Sequence, residues 1–165
     1  MSETKTPPSS RTLDTEIPLL KTFLKPGMKV LDVGSGTGIL AIASVKLGAS
    51  KAVAVDFDEI CLDNCRENCL LNAVSNSVET ITGEIDEVKE NGFDLILANI
   101  QKNVLLEIAE KIKAKLKSGG SVILSGLLEA DQSAIEKKYH SLGFKTKFID
   151  TKDEWIALVF SSVRE

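Results

Sequence analysis

Glycine recurs at alternate positions in the segment DVGSGTG, residues 32–38. An apolar run precedes it at residues 29–33 and a stretch with helical spacing follows at residues 39–47, which predicts a strand-to-helix turn. Glycine lets the backbone approach a ligand closely there, and free N–H groups at the helix start favour an anionic ligand group. We therefore expect a ligand-binding loop, with a tight turn that binds nothing as the alternative. The predicted loop residues are Gly34, Ser35, Gly36, Thr37 and Gly38.

An acidic residue, Asp56, closes the second apolar run, AVAV at residues 52–55. A carboxylate at the end of the second strand of such a sheet can accept hydrogen bonds from both hydroxyls of a ribose. Phe57, the next residue, is assigned to the same predicted site. Loop and acid together indicate a ligand that is a nucleoside with a charged appendage.

The spacing of the glycines discriminates between nucleosides. A dinucleotide fingerprint, G-x-G-x-x-G, needs a small residue at position 39, where this chain has Ile39. A phosphate-binding P-loop would need a following Gly-Lys-Ser/Thr, which is absent. G-x-G-x-G with Asp32 before it and Asp56 after it resembles the S-adenosylmethionine loop of class I methyltransferases. That resemblance implies S-adenosyl-L-methionine as cofactor. A nicotinamide dinucleotide is the second candidate.

Three further residues fit a methyltransferase site. Glu84 and Ile85 follow the third predicted strand and are placed to meet the edge and the face of an adenine. The methyltransferase resemblance places Asn99 at the mouth of the fourth strand, next to the substrate and the transferable methyl group. It is the predicted catalytic residue and also a predicted cofactor-binding residue. Ile100, Gln101 and Lys102 follow it instead of the Pro-Pro-aromatic sequence found in many methyltransferases that act on nitrogen. The missing aromatic platform argues against a flipped nucleobase as substrate.

The order of apolar runs predicts the architecture. Strands are predicted at residues 29–33, 52–55, 77–82, 93–98, 121–124, 145–149 and 155–160, and helices at 39–47, 59–71, 103–116 and 131–142. Strands separated by helices indicate parallel crossovers, whereas the last two strands are close enough to be antiparallel. We therefore predict an α/β fold: a doubly wound, Rossmann-like, seven-stranded class I methyltransferase sheet that ends in an antiparallel hairpin.

The N-terminal part is predicted separately. Residues 13–24 have helical spacing interrupted by Pro18 and are expected to pack across the top of the sheet, while residues 1–10 would be a flexible lead or a substrate-facing flap. This divides the chain into an N-terminal flap and helix, residues 1–25, and a methyltransferase domain, residues 26–165.

Composition sets the class of protein. The 165 residues are 43% hydrophobic and 27% charged, with a formal net charge of −4, so a globular domain without an overall basic field for nucleic acid is expected. We find neither a signal peptide nor an apolar run long enough for a membrane span, which predicts a cytoplasmic protein.

Cys61, Cys65 and Cys69 share one helix face and are interpreted as packed thiols instead of metal ligands. His140 is interpreted as a surface residue, and Trp155 as core or pocket wall.

From residue 26 onward the chain resembles the PrmA-type ribosomal protein methyltransferases. The matching segments are VLDVGSGTGILAIASVKLGA (residues 30–49), LANI (97–100), LSGLL (124–128) and EWIALV (154–159). The resemblance implies transfer of methyl groups from S-adenosyl-L-methionine to amino groups of a protein, the large-subunit ribosomal protein L11 in that family. It also implies that Thr12, within a segment corresponding to the family's Thr-rich cofactor-closing segment, contacts the cofactor.

Two alternatives stay open for the function. The family's N-terminal docking domain has no counterpart in this sequence. An RNA or a small molecule is therefore the alternative substrate, and it would enter the site through the opening that this domain would otherwise cover. A non-catalytic or partner-dependent module that retains the methyltransferase fold is the other alternative. The sequence does not specify an oligomeric state.

Overall fold

The computed structural model describes residues 15–163, which form one seven-stranded sheet. The strands are β1 (Lys29–Val33), β2 (Lys51–Asp56), β3 (Val78–Thr82), β4 (Phe93–Asn99), β5 (Leu116–Leu128), β6 (Lys145–Lys152) and β7 (Trp155–Ser161). Their order is β3-β2-β1-β4-β5-β7-β6. Neighbours from β3 to β5 are parallel, whereas β7 is antiparallel to both β5 and β6. The predicted fold class is confirmed.

The helices cover both faces of this sheet. They are α1 (Ile17–Phe23), α2 (Ile39–Lys46), α3 (Glu59–Leu71), α4 (Lys102–Glu107), α5 (Ala109–Lys115) and α6 (Gln132–Ser141), with short 3-10 turns at Ile85–Glu87 and Glu129–Asp131. Alternate residues of a strand enter different cores. Val53 of β2 packs with Leu105, Ile112 and Tyr139 of α4, α5 and α6. Its neighbour Ala54 packs in the core that contains α1, α2 and α3.

The strand order places a ligand site at one end of the sheet. From β1 the chain proceeds outward through β2 to β3, and then returns to the other side of β1 with β4. The carboxyl ends of β1 and β4 therefore diverge at a crevice, which is where open α/β sheets bind ligands. The glycine loop after β1, Asp56 at the end of β2 and Asn99 at the end of β4 all lie at this end.

Two predicted elements between residues 103 and 124 differ from the structure. The single helix predicted at residues 103–116 is two helices, α4 and α5, separated at Ile108, whose φ is −94° and ψ 6°. The break predicted at Gly119 and Gly120 lies within β5, because Gly119 adopts φ +77° at an irregularity in the β4–β5 ladder. Pairing resumes at Ser121, so β5 is much longer than the predicted strand at residues 121–124.

The N-terminal helix also differs from its prediction. Residues 15 and 16 are π-helical and lead directly into α1, which has Pro18 in its first turn, a position that tolerates proline. Leu19 and Leu20 are buried in the same core as Leu40 of α2 and Ile123 of β5. The helix thus packs on a face of the sheet beside α2, not across the top. The predicted lead at residues 1–10 lies outside the described residues, and the division at residue 25 stays a prediction.

The C-terminal hairpin matches the predicted pairing and is longer than predicted. β6 continues to Lys152, which pairs with Trp155 at the start of β7, so two residues connect the strands. Asp153 in this turn has φ +55°, a conformation that Asp tolerates better than most residues. Among the described residues, no helix has the length and apolar character needed to cross a membrane.

Candidate functional site

The glycine loop connects β1 to α2, and each of its glycines has a positive φ: +69° at Gly34, +55° at Gly36 and +85° at Gly38. A Cβ at Gly34 would lie 3.4 Å from Cγ2 of Ile100, and one at Gly38 would overlap Sγ of Cys65 on α3. At Gly36 nothing lies within 4 Å. Gly38 therefore lets α3 approach the loop, a Cβ at Gly34 would only touch Ile100, and the loop tip faces open space.

Asp56 holds the loop in this shape. Its Oδ2 accepts a hydrogen bond from the backbone N–H of Gly36 over 2.9 Å, and its Oδ1 accepts one from the N–H of Asp58 over 2.8 Å. The backbone N–H of Gly34 donates to the carbonyl of Val55 over 2.9 Å, which further ties the loop to β2. Asp56 is among the residues that line the adjacent cavity, and each of its carboxylate oxygens has a second lone pair that can accept a hydrogen bond from a ligand.

Two polar atoms under the loop are buried without a hydrogen-bond partner in the described part of the chain: Oδ2 of Asp32 and Oγ of Ser35. Asp32 is only 2% exposed. Burial raises its pKa from an ordinary 3.8 to about 7, and the Asp56 carboxylate adds to this, while the backbone N–H of Ala41 acts in the opposite direction. Buried polar atoms without partners are uncommon in folded proteins and are frequently explained by a ligand, ion or water.

A cavity of about 230 Å³ opens beside the loop, at the carboxyl ends of β1 and β2. It brings together the predicted site residues Gly34, Asp56, Phe57, Glu84 and Ile85. Phe57 is 80% exposed, so its ring is available at the rim. Ser35, Gly36, Thr37 and Gly38 complete the loop without lining this cavity, and Thr12 lies outside the described residues.

The remaining cavity wall was missed by the sequence reasoning. It includes Val104, Glu107, Ile108 and Lys111, which come from α4, α5 and the residue between them. Nζ of Lys111 lies 2.5 Å from Oδ2 of Asp86, an ion pair that joins α5 to the 3-10 turn Ile85–Glu87. The apolar spacing of residues 104 and 108 was the available signal, because these positions share one helix face.

Asn99 lies beside the cavity instead of in its wall, since the next residue, Ile100, is the one that lines it. It pairs with Ser125 at the end of the β4–β5 ladder. Its side chain makes no hydrogen bond to any residue in the 15–163 range. The carboxamide is therefore available to a molecule that approaches the carboxyl end of β4.

Other residues considered from the sequence lie away from this site or pack in the core. Cys65 and Cys69 are buried and Cys61 is half-buried, all on α3 and all free thiols. Nε2 of His140 lies 2.7 Å from Oγ1 of Thr146, on the surface between α6 and β6. Trp155 is 8% exposed and belongs to the core. A larger cavity of about 450 Å³ lies at the opposite end of the sheet, away from the loop and Asp56.

This strand order, with a G-x-G-x-G loop after β1 and an acid at the end of β2, defines the class I methyltransferase fold. A family model described as ribosomal protein L11 methyltransferase (PrmA) matches residues 11–162. The chain belongs to this family, as the resemblance in its sequence indicated.

Individual relatives agree with this assignment. The chain is 41% identical over 133 residues to the ribosomal protein L11 methyltransferase of Myxococcus xanthus, an alignment that covers 81% of this chain and 45% of the relative. The crystal structure of ribosomal protein L11 methylase from Lactobacillus delbrueckii subsp. bulgaricus superposes with a TM-score of 0.84 at 30% identity, covering 98% of this chain and 84% of that one.

A more distant structure shows the fold alone. The RNA methyltransferase from Salinibacter ruber, in complex with S-adenosyl-L-homocysteine, is 14% identical, with a TM-score of 0.77 and coverage of 96% of this chain and 95% of that one. The chain spans about half the length of the curated relatives it matches, 45–46%.

Proposed function

We propose that this chain binds S-adenosyl-L-methionine and transfers its methyl group to an amino group of a protein. The observation that carries the proposal is the dual position of Asp56, which shapes the glycine loop through the N–H of Gly36 and also lines the adjacent cavity. A carboxylate so placed can accept hydrogen bonds from the ribose hydroxyls of the cofactor.

The cavity residues fit the nucleoside half of the cofactor. Val55, Ile85 and Ile108 supply apolar surface for the faces of an adenine ring, while the carboxylate of Glu84 lies at the same cavity and can accept from its amino group. Phe57 at the rim adds an aromatic surface. Small-ligand sites of this kind combine mostly apolar walls with a few polar groups that fix orientation.

The buried atoms under the loop fit the charged half. Oδ2 of Asp32 and Oγ of Ser35 are buried there without a hydrogen-bond partner among the described residues, and both belong to the segment that leads from β1 into the loop. A cation near Asp32 would lower the cost of ionising this buried carboxyl group, because an opposite charge favours the charged form. We assign Asp32 and Ser35 to the end of the site that receives the cationic part of the cofactor.

The chain itself has a modest chemical task. The bound cofactor supplies an already activated methyl group on a sulfonium. The protein must align an uncharged amine with it and exclude water. A lysine side chain has an ordinary pKa of about 10.4, and desolvation lowers it. The carboxamide of Asn99, which is not engaged by the described residues, can accept a hydrogen bond from that amine and orient its lone pair.

Family membership supports ribosomal protein L11 as the protein substrate. The matched relatives are named ribosomal protein L11 methyltransferases, and this chain spans about half of their length. We propose the same substrate class for this chain.

The test combines binding with transfer. We expect calorimetry to show binding of S-adenosylmethionine and S-adenosylhomocysteine but not NADH, and labelled methyl transfer to purified ribosomal protein L11. Failure to bind either sulfur nucleoside contradicts the cofactor proposal. Binding without transfer to L11, ribosomal RNA or small amines contradicts the enzymatic one, and transfer only to RNA or small amines contradicts the protein substrate.

A variant at the end of β4 assigns the catalytic role. We expect Asn99→Ala to lower turnover by about a hundredfold while the cofactor dissociation constant changes by less than about twofold, because Asn99 does not line the cavity assigned to the nucleoside half and is proposed to contact the acceptor. Equal losses in turnover and cofactor affinity would make Asn99 a cofactor-binding residue instead.

A further inference from the structure

Gly126 occupies a β-bulge next to the end of β4. In the β5–β7 ladder, Leu124 pairs with Leu158 and Leu127 pairs with Ile156, so two residues of β5 lie opposite one residue of β7. Gly126 is one of these two and has φ +76°, the left-handed conformation that glycine adopts easily. Bulges of this kind bend a strand locally and commonly redirect side chains beside active sites.

The space that a side chain at position 126 would fill is taken by Asn99. A Cβ built at Gly126 would overlap Oδ1 of Asn99, and would also lie 3.5 Å from the backbone N of Ile100 and 3.6 Å from the carbonyl carbon of Asn99. The Asn99 carboxamide therefore fits where it does because residue 126 has no side chain.

Packing, not hydrogen bonding, holds this carboxamide. Asn99 makes no side-chain hydrogen bond within residues 15–163, so its rotamer depends on the shape of its surroundings. Backbone pairing of Asn99 with Ser125 fixes the position of Gly126 relative to the carboxamide, since Gly126 follows Ser125 directly. The bulge and the carboxamide are therefore direct neighbours at the carboxyl end of the sheet.

We propose that Gly126 is a positioning residue for methyl transfer: its bulge admits the Asn99 carboxamide and fixes the orientation in which that group meets the substrate amine. This inference rests on the proposed methyltransferase function. Gly126 does not line the cavity assigned to the nucleoside half of the cofactor, and the atom that a Cβ there would overlap is Oδ1 of Asn99, so we expect its effect on the acceptor.

Gly126→Ala tests the proposal in two backgrounds. In the otherwise unchanged chain we expect turnover to fall by about a hundredfold, because displacement of a reacting or orienting group by about 1 Å has an effect of that size. The cofactor dissociation constant should change by less than about twofold. In the Asn99→Ala background, where no carboxamide remains to be displaced, adding Gly126→Ala should lower turnover by less than about twofold further.

Gly92→Ala is the matched control for backbone strain. Gly92 has φ +74°, almost the same as Gly126, but a Cβ there would meet nothing within 4 Å. It precedes β4 at the opposite end of the sheet. We expect Gly92→Ala to leave turnover within about twofold of the parent, since it introduces the same backbone strain without touching Asn99.

The outcomes separate this inference from the function on which it rests. If the unchanged chain transfers no methyl group, the proposed function fails. If the unchanged chain is active and Gly126→Ala keeps full turnover, or loses it equally with and without Asn99, the positioning role is wrong. Should Gly126→Ala alone fail to fold, the comparison of Asn99→Ala with the double variant still decides, because the overlap with Oδ1 is absent in both. A further large loss in the double variant would overturn the proposal.

Discussion

The backbone N–H of Gly36 at the tip of the glycine loop donates a 2.9 Å hydrogen bond to Oδ2 of Asp56 at the end of β2. One carboxylate thus connects two neighbouring strands of the sheet at the edge where a ligand would bind. Its other oxygen accepts from the N–H of Asp58, the residue that caps α3 by accepting from the N–H of Ile60. The shape of the loop and the start of α3 are consequently coupled through Asp56, the residue that we propose to bind the cofactor ribose.

Replacing this carboxylate should weaken cofactor binding strongly. We expect Asp56→Ala to raise the dissociation constant for S-adenosylmethionine by about thirtyfold or more, since each hydrogen bond to a charged group contributes about 1.5–3 kcal/mol. Asp56→Asn should have a smaller effect, because its amide oxygen can still accept from Gly36. Calorimetric titration measures both. Asp63→Ala, which removes an exposed acid from α3, controls for the change in net charge, and a dissociation constant for Asp56→Ala within about threefold of the parent would contradict the assignment.

Replacement of a loop glycine by alanine should lower the free energy of unfolding by an amount that differs from one glycine to the next. Gly38→Ala combines a left-handed φ of +85° with an overlap on Sγ of Cys65, so we expect a loss of about 2–4 kcal/mol in the free energy of unfolding. Gly36→Ala has the strain without the overlap and should lose only about 1–2 kcal/mol. Urea denaturation of both variants, and of Gly38→Ala with Cys65→Ala, checks this. Equal losses, or no recovery in the double variant, would show that the contact with Cys65 is unimportant.

The parts of this structure that depend on local sequence could be predicted. Apolar runs bounded by turn residues located the strands, and the alternate glycines of residues 34–38 located the loop after β1, because each of these patterns lies within about a dozen residues of sequence. The division of residues 102–115 at Ile108 could not be predicted, since it depends on how α4 and α5 pack on the sheet.

The residues that could not be predicted reach the site through contacts with parts of the chain that are distant in sequence. Lys111 reaches the cavity wall only because α5 packs against the 3-10 turn Ile85–Glu87 and pairs with Asp86. Gly126 belonged to a segment that resembled the family, but its contact with Asn99 depends on a bulge opposite β7, a strand that follows much later in the chain. Neither relationship leaves a pattern in the neighbouring sequence.

The buried hydroxyl group of Tyr139 should stabilise the packing of α4, one of the helices that line the cavity. Oη of Tyr139 on α6 donates a 2.9 Å hydrogen bond to the carbonyl of Leu105 on α4, and its ring stacks on Phe160 with centroids 5.2 Å apart. We expect Tyr139→Phe to lower the free energy of unfolding by about 1–2 kcal/mol, because the ring packing is retained and one buried hydrogen bond is lost. Ser141→Ala removes an exposed hydroxyl that donates to a backbone carbonyl of the same helix and should change stability by less than about 0.5 kcal/mol. Equal effects of the two variants in urea denaturation would contradict a special role for the Tyr139 contact.

The stability of the ligand-free protein should depend on pH through Asp32. Burial raises the pKa of this carboxyl group from an ordinary 3.8 to about 7, so between these values the folded protein retains a proton that the unfolded chain releases. Because the folded state then binds more protons, the contribution of Asp32 to stability is greatest below pH 4 and falls as the pH rises toward 7, by about 2–4 kcal/mol in total. Above pH 7 this group produces no further loss.

Asp32→Asn isolates this contribution, because the amide has nearly the same shape and does not ionise. We expect the difference in free energy of unfolding between Asp32→Asn and the parent to shift by about 2–4 kcal/mol in favour of the variant from pH 4 to pH 7.5, since only the parent must bury a charge at the higher pH. Urea denaturation at several pH values measures it. Saturating S-adenosylmethionine should reduce the shift, because a nearby cation stabilises the charged carboxylate, whereas the uncharged sulfur of S-adenosylhomocysteine should reduce it less. Parallel stability curves for variant and parent would show that Asp32 titrates as an ordinary carboxyl group and that its burial does not govern the pH response.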